Sequence, residues 1–461
     1  MSDVVCISPV DGREVARRRA QSEAEIAAVL AQARRAQREW AATPLAARKA
    51  KMAEFLAAMQ AMNDDIVPEL ALQMGRPVRY GGEMGSFVER ARALIDLADE
   101  SLKPHVPTEK PGFRRMIKRV PAGIVLVIAP WNYPYLTALN SVLPALLAGD
   151  AVILKHAAQT ILVGERFQQA MDRVELPKGL FTTVVLDHDG ATKLIASGGV
   201  DHVNFTGSVE GGRAIERAAA GTFATLGLEL GGKDPAYVRP DVDFDYAVAN
   251  IVDGAFYNSG QCCCGIERVY VHESLYDRFV EATAAAVAAY KLDNPMKMET
   301  TLGPMANVRF ANVVRAHTAE AIAKGAKPLV DQARFPADCA GAPYVAPQAL
   351  IDVDHTMKLM MEETFGPVVG LMKVASDEEA IRLMNDSPYG LTASIWTEDA
   401  AAAERIGDAV ATGTVFMNRC DYVDPGLAWT GVKNTGRGAG MSYLGFAAMT
   451  RPKSYHLRLS R

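Results

Sequence analysis

Three consecutive cysteines, Cys262, Cys263 and Cys264, follow the turn-forming run Asn258-Ser259-Gly260-Gln261 at the end of a helical stretch. A thiol attacks carbon as thiolate, so a working cysteine needs a field that lowers its pKa or a base that takes its proton. Isolated cysteines such as Cys6 and Cys339 read as small buried apolar residues. A Cys just after a glycine turn reads as an accessible thiol, although the triplet does not by itself choose among its members. Its spacing does not suit a metal, because two sulfurs reach one tetrahedral ion through Cys-x2-4-Cys, and no second Cys pair or paired His follows. No metal is therefore expected.

Glu229 is the candidate base. It ends the apolar run Leu226-Gly227-Leu228, where partial desolvation raises a carboxyl pKa toward neutrality. The competing reading is a salt-bridged surface carboxylate. The following Gly231-Gly232-Lys233-Asp234 superficially resembles a phosphate loop but lacks the Ser or Thr after Lys that holds magnesium, so nucleotide hydrolysis is not expected. In Phe205-Thr206-Gly207-Ser208 a strand ends in a glycine turn and Ser208 can cap the next helix. Unpaired N–H groups and the dipole at such a helix start favour a pyrophosphate, and the same turn also serves as plain strand-to-helix punctuation.

These groups need a frame to hold them. Residues 22–62 carry Ala, Leu and Met at helical spacing, broken at Pro44, and 84–101 repeats the pattern. From 123 onward short apolar runs alternate with helical stretches: 124–129 then 138–148, 151–154 then 160–174, 182–186 then 189–196, 202–205 then 209–220. Repeated strand-helix units predict a parallel sheet covered on both faces. Ligands sit beyond the carboxyl ends of such strands, which directs attention to 130–134, 155–157 and 206–208. A second α/β block spans 232–440, with strands at 268–272, 367–373, 391–396 and 413–417. The tail 453–459 alternates like a half-buried strand, with 113–120 as its partner, either at a subunit contact or as an internal edge.

Composition excludes several classes. With 49% hydrophobic and 22% charged residues the chain is ordinary globular protein, and 461 residues predict two or three domains. A net charge of −5 with only short basic runs argues against nucleic acid. No apolar run approaches the roughly 18 residues of a membrane span, so no membrane partner is expected. Six cysteines and a start without signal-peptide character point to a reducing compartment, the cytoplasm.

Taken in order, Pro130-Trp131-Asn132-Tyr133-Pro134, Phe205-Thr206-Gly207-Ser208, Glu229-Leu230-Gly231-Gly232-Lys233, Gly260-Gln261-Cys262-Cys263 and Glu362-Glu363-Thr364-Phe365-Gly366-Pro367 resemble the aldehyde dehydrogenase superfamily over nearly the whole chain. The resemblance implies an α/β fold: a Rossmann-like parallel-sheet NAD(P)-binding domain (1–109 and 124–231), an α/β catalytic domain (232–446) and oligomerisation strands (110–123 and 447–461) in a homodimer or homotetramer. It makes Cys263 the nucleophile toward an aldehyde, Asn132 and the Cys263 N–H the oxyanion donors, and Glu229 the base that activates water on the thioester. Glu229 also points away from acyl transfer to CoA. NAD, or alternatively NADP, is implied along Ile128, Ala129, Pro130 and Trp131. Lys155 is implied at the adenosine ribose, Gly207 and Ser208 at the pyrophosphate, Glu363 at the nicotinamide ribose, and Leu230 and Phe365 beside the nicotinamide.

The implied substrate pocket is Tyr133, Thr137, Asn140, Cys262, Cys264, Arg419, Asp421, Val423 and Trp429. Arg419 offers a guanidinium to a distal carboxylate, which motivates a succinic-type semialdehyde alternative; the competing reading pairs it with Asp421. Departures from the family pattern are Ala158, where NAD-preferring members carry Glu, and Ser141 and Gly440, where relatives carry a proton-relaying Lys and Glu. His156 is either a cation for a 2′-phosphate or a substitute for a turn proline. A non-catalytic cofactor-binding descendant would be expected to lose Cys263, Glu229 or Asn132, and all three are present.

Overall fold

The computed structural model describes residues 2–459; Met1, Ser460 and Arg461, at the outer limits of two of the expected units, lie outside the described residues. In chain order the strands are β1 (Asp3–Ile7), β2 (Glu14–Arg19), β3 (Phe113–Pro121), β4 (Ile124–Ala129), β5 (Ala151–His156), β6 (Phe181–Val184), β7 (His202–Thr206) and β8 (Thr225–Glu229). They continue as β9 (Asp234–Val238), β10 (Ile266–His272), β11 (Lys327–Pro328), β12 (Gln348–Ile351), β13 (Val368–Val374), β14 (Thr392–Trp396), β15 (Thr414–Met417), β16 (Gly436–Arg437) and β17 (Thr450–Arg458).

β4 and β5 are buried at every position, as unbroken β-branched and Leu runs must be when helices cover both faces of a parallel sheet. Their sheet runs β16-β8-β7-β4-β5-β6, parallel except for β16. The chain lays β5 and β6 to one side of β4 and then returns with β7 on the other side, so strand order reverses between β4 and β7. A crevice opens beyond the carboxyl ends of strands at such a switch point. The second sheet runs β11-β12-β13-β10-β9-β14-β15, parallel except for its β11 edge.

The opening helices span Glu23–Ala42 and Leu45–Gln60, the first started by a Ser22/Glu25 capping box and the second capped at Pro44. The structure adds strands that the sequence reading did not announce, among them β1, β2, β8, β9 and β12. β9, DPAYV, occupies the middle of the second sheet although it contains Pro235, and the register of β10 shifts beside it between Ile266 and Arg268. A proline lacks the ladder N–H, so an irregularity at that point is how a central strand accommodates one. β16, expected within the 232–446 block, instead caps the outer edge of the first sheet, where Gly436 pairs with Glu229.

β17 pairs with β3 over nine residues, from Thr450↔Pro121 to Arg458↔Phe113. The expectation of a half-buried tail strand is corrected here: apart from Thr450 and Tyr455 the strand is exposed, and its one paired neighbour among the described strands is β3. Among the described residues no helix is long and apolar enough to cross a membrane, and no cluster of three or more His, Cys, Asp or Glu side chains is placed to hold a metal ion.

Candidate active site

The cysteine loop begins where helix Phe244–Phe256 ends, and it is held in a conformation that local preferences oppose. Asn258 (φ 55°), Ser259 (φ 56°) and Gly260 (φ 67°) are all left-handed. Such backbone persists in non-glycine residues only when the surroundings over-determine it. Here they do. Ser259 Oγ donates to the Gly303 carbonyl (2.9 Å), the Ala306 N–H donates to Gln261 Oε1 (2.8 Å), and Asn258 Nδ2 donates to the carbonyls of Asn132 and Gln261 (3.2 Å each). Gly260 packs so tightly on the Gly366 carbonyl that no side chain fits.

Asn132 belongs to the loop that leaves β4 at the switch point, just before helix Pro134–Ala148. It is buried, and its Nδ2 donates to the Gln261 carbonyl at 3.3 Å, which brings the amide against the cysteine loop. Its own carbonyl accepts from Arg76 Nη2 (2.6 Å), and Arg76 is in turn paired with buried Glu83 at 2.8 Å.

A cavity of about 430 Å³ opens over this loop. It is lined by Cys262, Cys263, Cys264, Glu229 and Leu230, together with Tyr133, Thr137, Asn140, Asp421, Val423 and Trp429. Arg419 is the member of the expected pocket that the structure does not bring there. It is exposed, and its guanidinium stacks 3.6 Å from the centre of the Tyr422 ring. The sequence reading missed Arg76, Glu83 and Arg90, which line the same cavity. Arg90 was detectable: it falls with Phe87, Ala91 and Leu94 on the buried face of helix Met84–Ser101, an improbable place for an idle charge.

Access distinguishes the cysteines. Cys262 and Cys264 are buried with their Sγ atoms 3.6 Å apart, whereas Cys263 is half-exposed. The three thiols share hydrogen bonds: donation from its neighbours holds Cys262 down, and the bond to Cys262 with burial pushes Cys263 up. Cys263 therefore needs a base. Burial pushes the Glu229 carboxyl up to about 7, against a hydrogen bond from Thr206 Oγ1 (3.4 Å) and the charge of Arg90. Glu229 can thus both accept and release a proton near neutral pH. Ser141 bonds to Asn204, and a side-chain carbon at Gly440 would sit 2.8 Å from Glu229 Oε1, so this relay position does border the carboxylate but supplies no group to it.

The crevice beside the cavity has the donors and acceptors of a dinucleotide site. Ser208 caps helix Val209–Ala219 by accepting from the Gly211 N–H (3.2 Å), and side-chain carbons at Gly207 and Gly211 would each lie 2.6 Å from the Phe205 ring. The helix start is therefore open to an anion. Lys155, next to the last residue of β5, is buried, its pKa lowered by desolvation, and no ion pair holds it among the described residues. Glu363 accepts from the Gly232 N–H (3.0 Å) and is pushed up to about 8 by burial and then by Glu267. Trp131 stacks on Phe310 (4.9 Å) and meets Phe365 edge-on (5.6 Å), while Ile128, Ala129 and Pro130 lead from β4 to it. A buried lysine, a buried carboxyl and a capped helix start are the kinds of group that suit riboses and a pyrophosphate.

His156 is corrected as a phosphate-binding cation. It is buried, its Nε2 donates to the Pro134 carbonyl (3.2 Å) and its Nδ1 accepts from the Ala157 N–H (3.0 Å), so burial pushes its pKa down to about 4 and it is neutral.

The chain is similar to 4,4'-diapolycopene aldehyde oxidase of Methylomonas sp, 33% identical over 453 residues, which are 95% of this chain and 82% of the relative. It is 31% identical over 412 residues to the NAD(P)+ succinate semialdehyde dehydrogenase of Escherichia coli strain K12, covering 88% of each. Among solved structures, betaine aldehyde dehydrogenase of Staphylococcus aureus in complex with NAD+ superposes with a TM-score of 0.92 at 26% identity, covering 100% of this chain and 92% of that one. The sequence profile described as the aldehyde dehydrogenase family matches residues 2–455, and the chain belongs to that family.

Proposed function

We propose that this protein oxidises an aldehyde to a carboxylic acid through a covalent intermediate on Cys263, with NAD as cofactor and NADP also admitted. The observation that carries the reading is that the half-exposed Cys263 and the Glu229 carboxyl, poised at about 7, line one cavity. Glu229 takes the Cys263 proton, and Sγ bonds to the aldehyde carbon to give a hemithioacetal. Its oxyanion is held by Asn132 Nδ2 and the Cys263 N–H. Hydride acceptance from this carbon is the chemistry that a nicotinamide held beside Leu230 and Phe365 would supply. Glu229, after releasing the Cys263 proton to solvent, removes a proton from water, the hydroxide adds to the thioester carbonyl, and the acid departs as Cys263 Sγ is released.

Lys155 and Glu363 would hold the riboses, Gly207 and Ser208 the pyrophosphate, and Leu230 and Phe365 would border the nicotinamide, alongside Trp131. Ala158 offers no carboxylate to repel a 2′-phosphate, which is why NADP is admitted. The exposed β3-β17 ribbon supports reading 110–123 and 447–461 as oligomerisation strands of a homodimer or homotetramer, since a two-stranded ribbon is marginal alone. The two parallel sheets support a cofactor domain (1–109 and 124–231) and a catalytic domain (232–446), and six free cysteines support a cytoplasmic location.

Mixing the protein with an aldehyde and NAD is expected to give a burst of reduced cofactor followed by steady release of acid, with no acyl-CoA when CoA is present. Cofactor binding without any burst would instead favour a non-catalytic family member. Within this reading Asn132→Ala loses one oxyanion donor, and kcat is expected to fall about 10²–10³-fold. A loss confined to KM would remove Asn132 from that role.

A further inference from the structure

Arg90 is 8% exposed, and its guanidinium borders the cavity that Cys263 and Glu229 share. Nη1 donates to Asn140 Oδ1 at 2.9 Å, and Nη2 reaches the Val423 carbonyl only at 3.5 Å, the limit of a hydrogen bond. No carboxylate lies within ion-pair distance of Arg90 among the described residues. Arg76 on the same wall is different. It is neutralised by Glu83 Oε1, and Glu83 Oε2 is already occupied in accepting from the Leu136 N–H (2.7 Å).

An arginine cannot shed its proton to escape burial, and Glu83, the carboxylate whose charge acts most strongly on Arg90, is already paired with Arg76, which leaves Arg90 only partly compensated. The helix face around it, Phe87, Ala91 and Leu94, is otherwise apolar and would accept an aliphatic residue. The remaining acids do not supply a fixed counter-charge: Glu229 and Asp421 are both pushed up to about 7 by burial, and Glu89 is exposed, accepting from Tyr422 Oη at 2.9 Å. The fork of donors left free by Asn140 matches a carboxylate, which can take two parallel hydrogen bonds.

We infer that Arg90, held by Asn140, is the specificity-determining cation of the pocket, and that it pairs with a carboxylate at the far end of the substrate, making linear semialdehydes the preferred class. This rests on the reading of Cys263 as the point of attack on the aldehyde. It gives the semialdehyde a different anchor from the exposed Arg419. An aldehyde with a quaternary ammonium tail would meet a like charge in the same place and is disfavoured.

The test compares kcat/KM for a series of linear semialdehydes with that for alkanals of matched length, in the wild type, Arg90→Gln and Arg90→Lys. The wild type is expected to prefer semialdehydes. In Arg90→Gln the semialdehyde-to-alkanal ratio is expected to fall about 10- to 100-fold, chiefly through KM, with partial recovery in Arg90→Lys. A second measurement needs no variant: short linear dicarboxylates should compete with the aldehyde in the wild type far better than monocarboxylates of equal length. An unchanged ratio in Arg90→Gln, a wild type indifferent to the distal carboxylate, or a preference for quaternary ammonium aldehydes would each overturn the inference. Alkanal oxidation by the wild type would then still stand, whereas failure to oxidise any aldehyde would sink the parent reading.

Discussion

Cys263→Ala is expected to abolish aldehyde oxidation, lowering formation of reduced cofactor by at least about 10⁴-fold, since no other group replaces a lost nucleophile. Cys262→Ala and Cys264→Ala should lose far less. The prediction is sharp because two properties point to different members of the triplet. Thiolate character favours Cys262, whose pKa is lowered by interaction with both neighbouring thiols. Access favours Cys263, the one member that is not buried. Access should decide, because a sulfur enclosed by protein cannot reach a carbonyl carbon however ionised it is, while an accessible thiol needs only a base. Loss of the burst in Cys262→Ala with its retention in Cys263→Ala would reverse the assignment.

Glu229→Gln is expected to separate the two halves of the reaction. The amide cannot take a proton from water, so steady turnover should fall by about 10²–10⁴-fold. Some burst of reduced cofactor should persist at high pH, where Cys263 ionises without help. The pH dependence follows from the direction of the shift. A carboxyl acts as base only when charged, and burial places its midpoint near 7 instead of in the usual carboxylate range. Turnover in the wild type should therefore climb as pH rises through about 7 and fall away below it, and this limb should vanish in Glu229→Gln. A rising limb that survives the substitution would assign it to another group.

Much of this site could be read from residues alone because its motifs fall at strand ends. The runs 124–129 and 202–205 announce β4 and β7, and the segments after them carry Asn132 and Ser208. The crossing of the chain at β4 then brings these distant segments together. What escaped were features decided by tertiary packing. β9 was hidden by Pro235, which is tolerated only because β10 is irregular beside it. His156 looked like a possible cation until its two ring nitrogens were found bound to backbone deep in the fold. Arg419 was chosen because it follows Asn418 at the end of a strand, yet position along the chain does not fix direction, and the side chain lies over Tyr422. Arg90 was not singled out in the helical stretch 84–101, although its helical spacing places it inward.

The edge strand β16 sets the order in which this site can come into being. β8, which ends in Glu229, has β7 on one side from the start, but its other neighbour is Gly436–Arg437. More than two hundred residues separate them along the chain. During synthesis, which runs from the N-terminus at a modest pace, the first sheet can form around the β4-β7 crevice long before β16 emerges. A nascent chain is then expected to hold the β4-β7 crevice and to display Cys263 before β8, which bears Glu229, is closed off by β16. Only the nearly finished polypeptide has both reacting groups in their final surroundings.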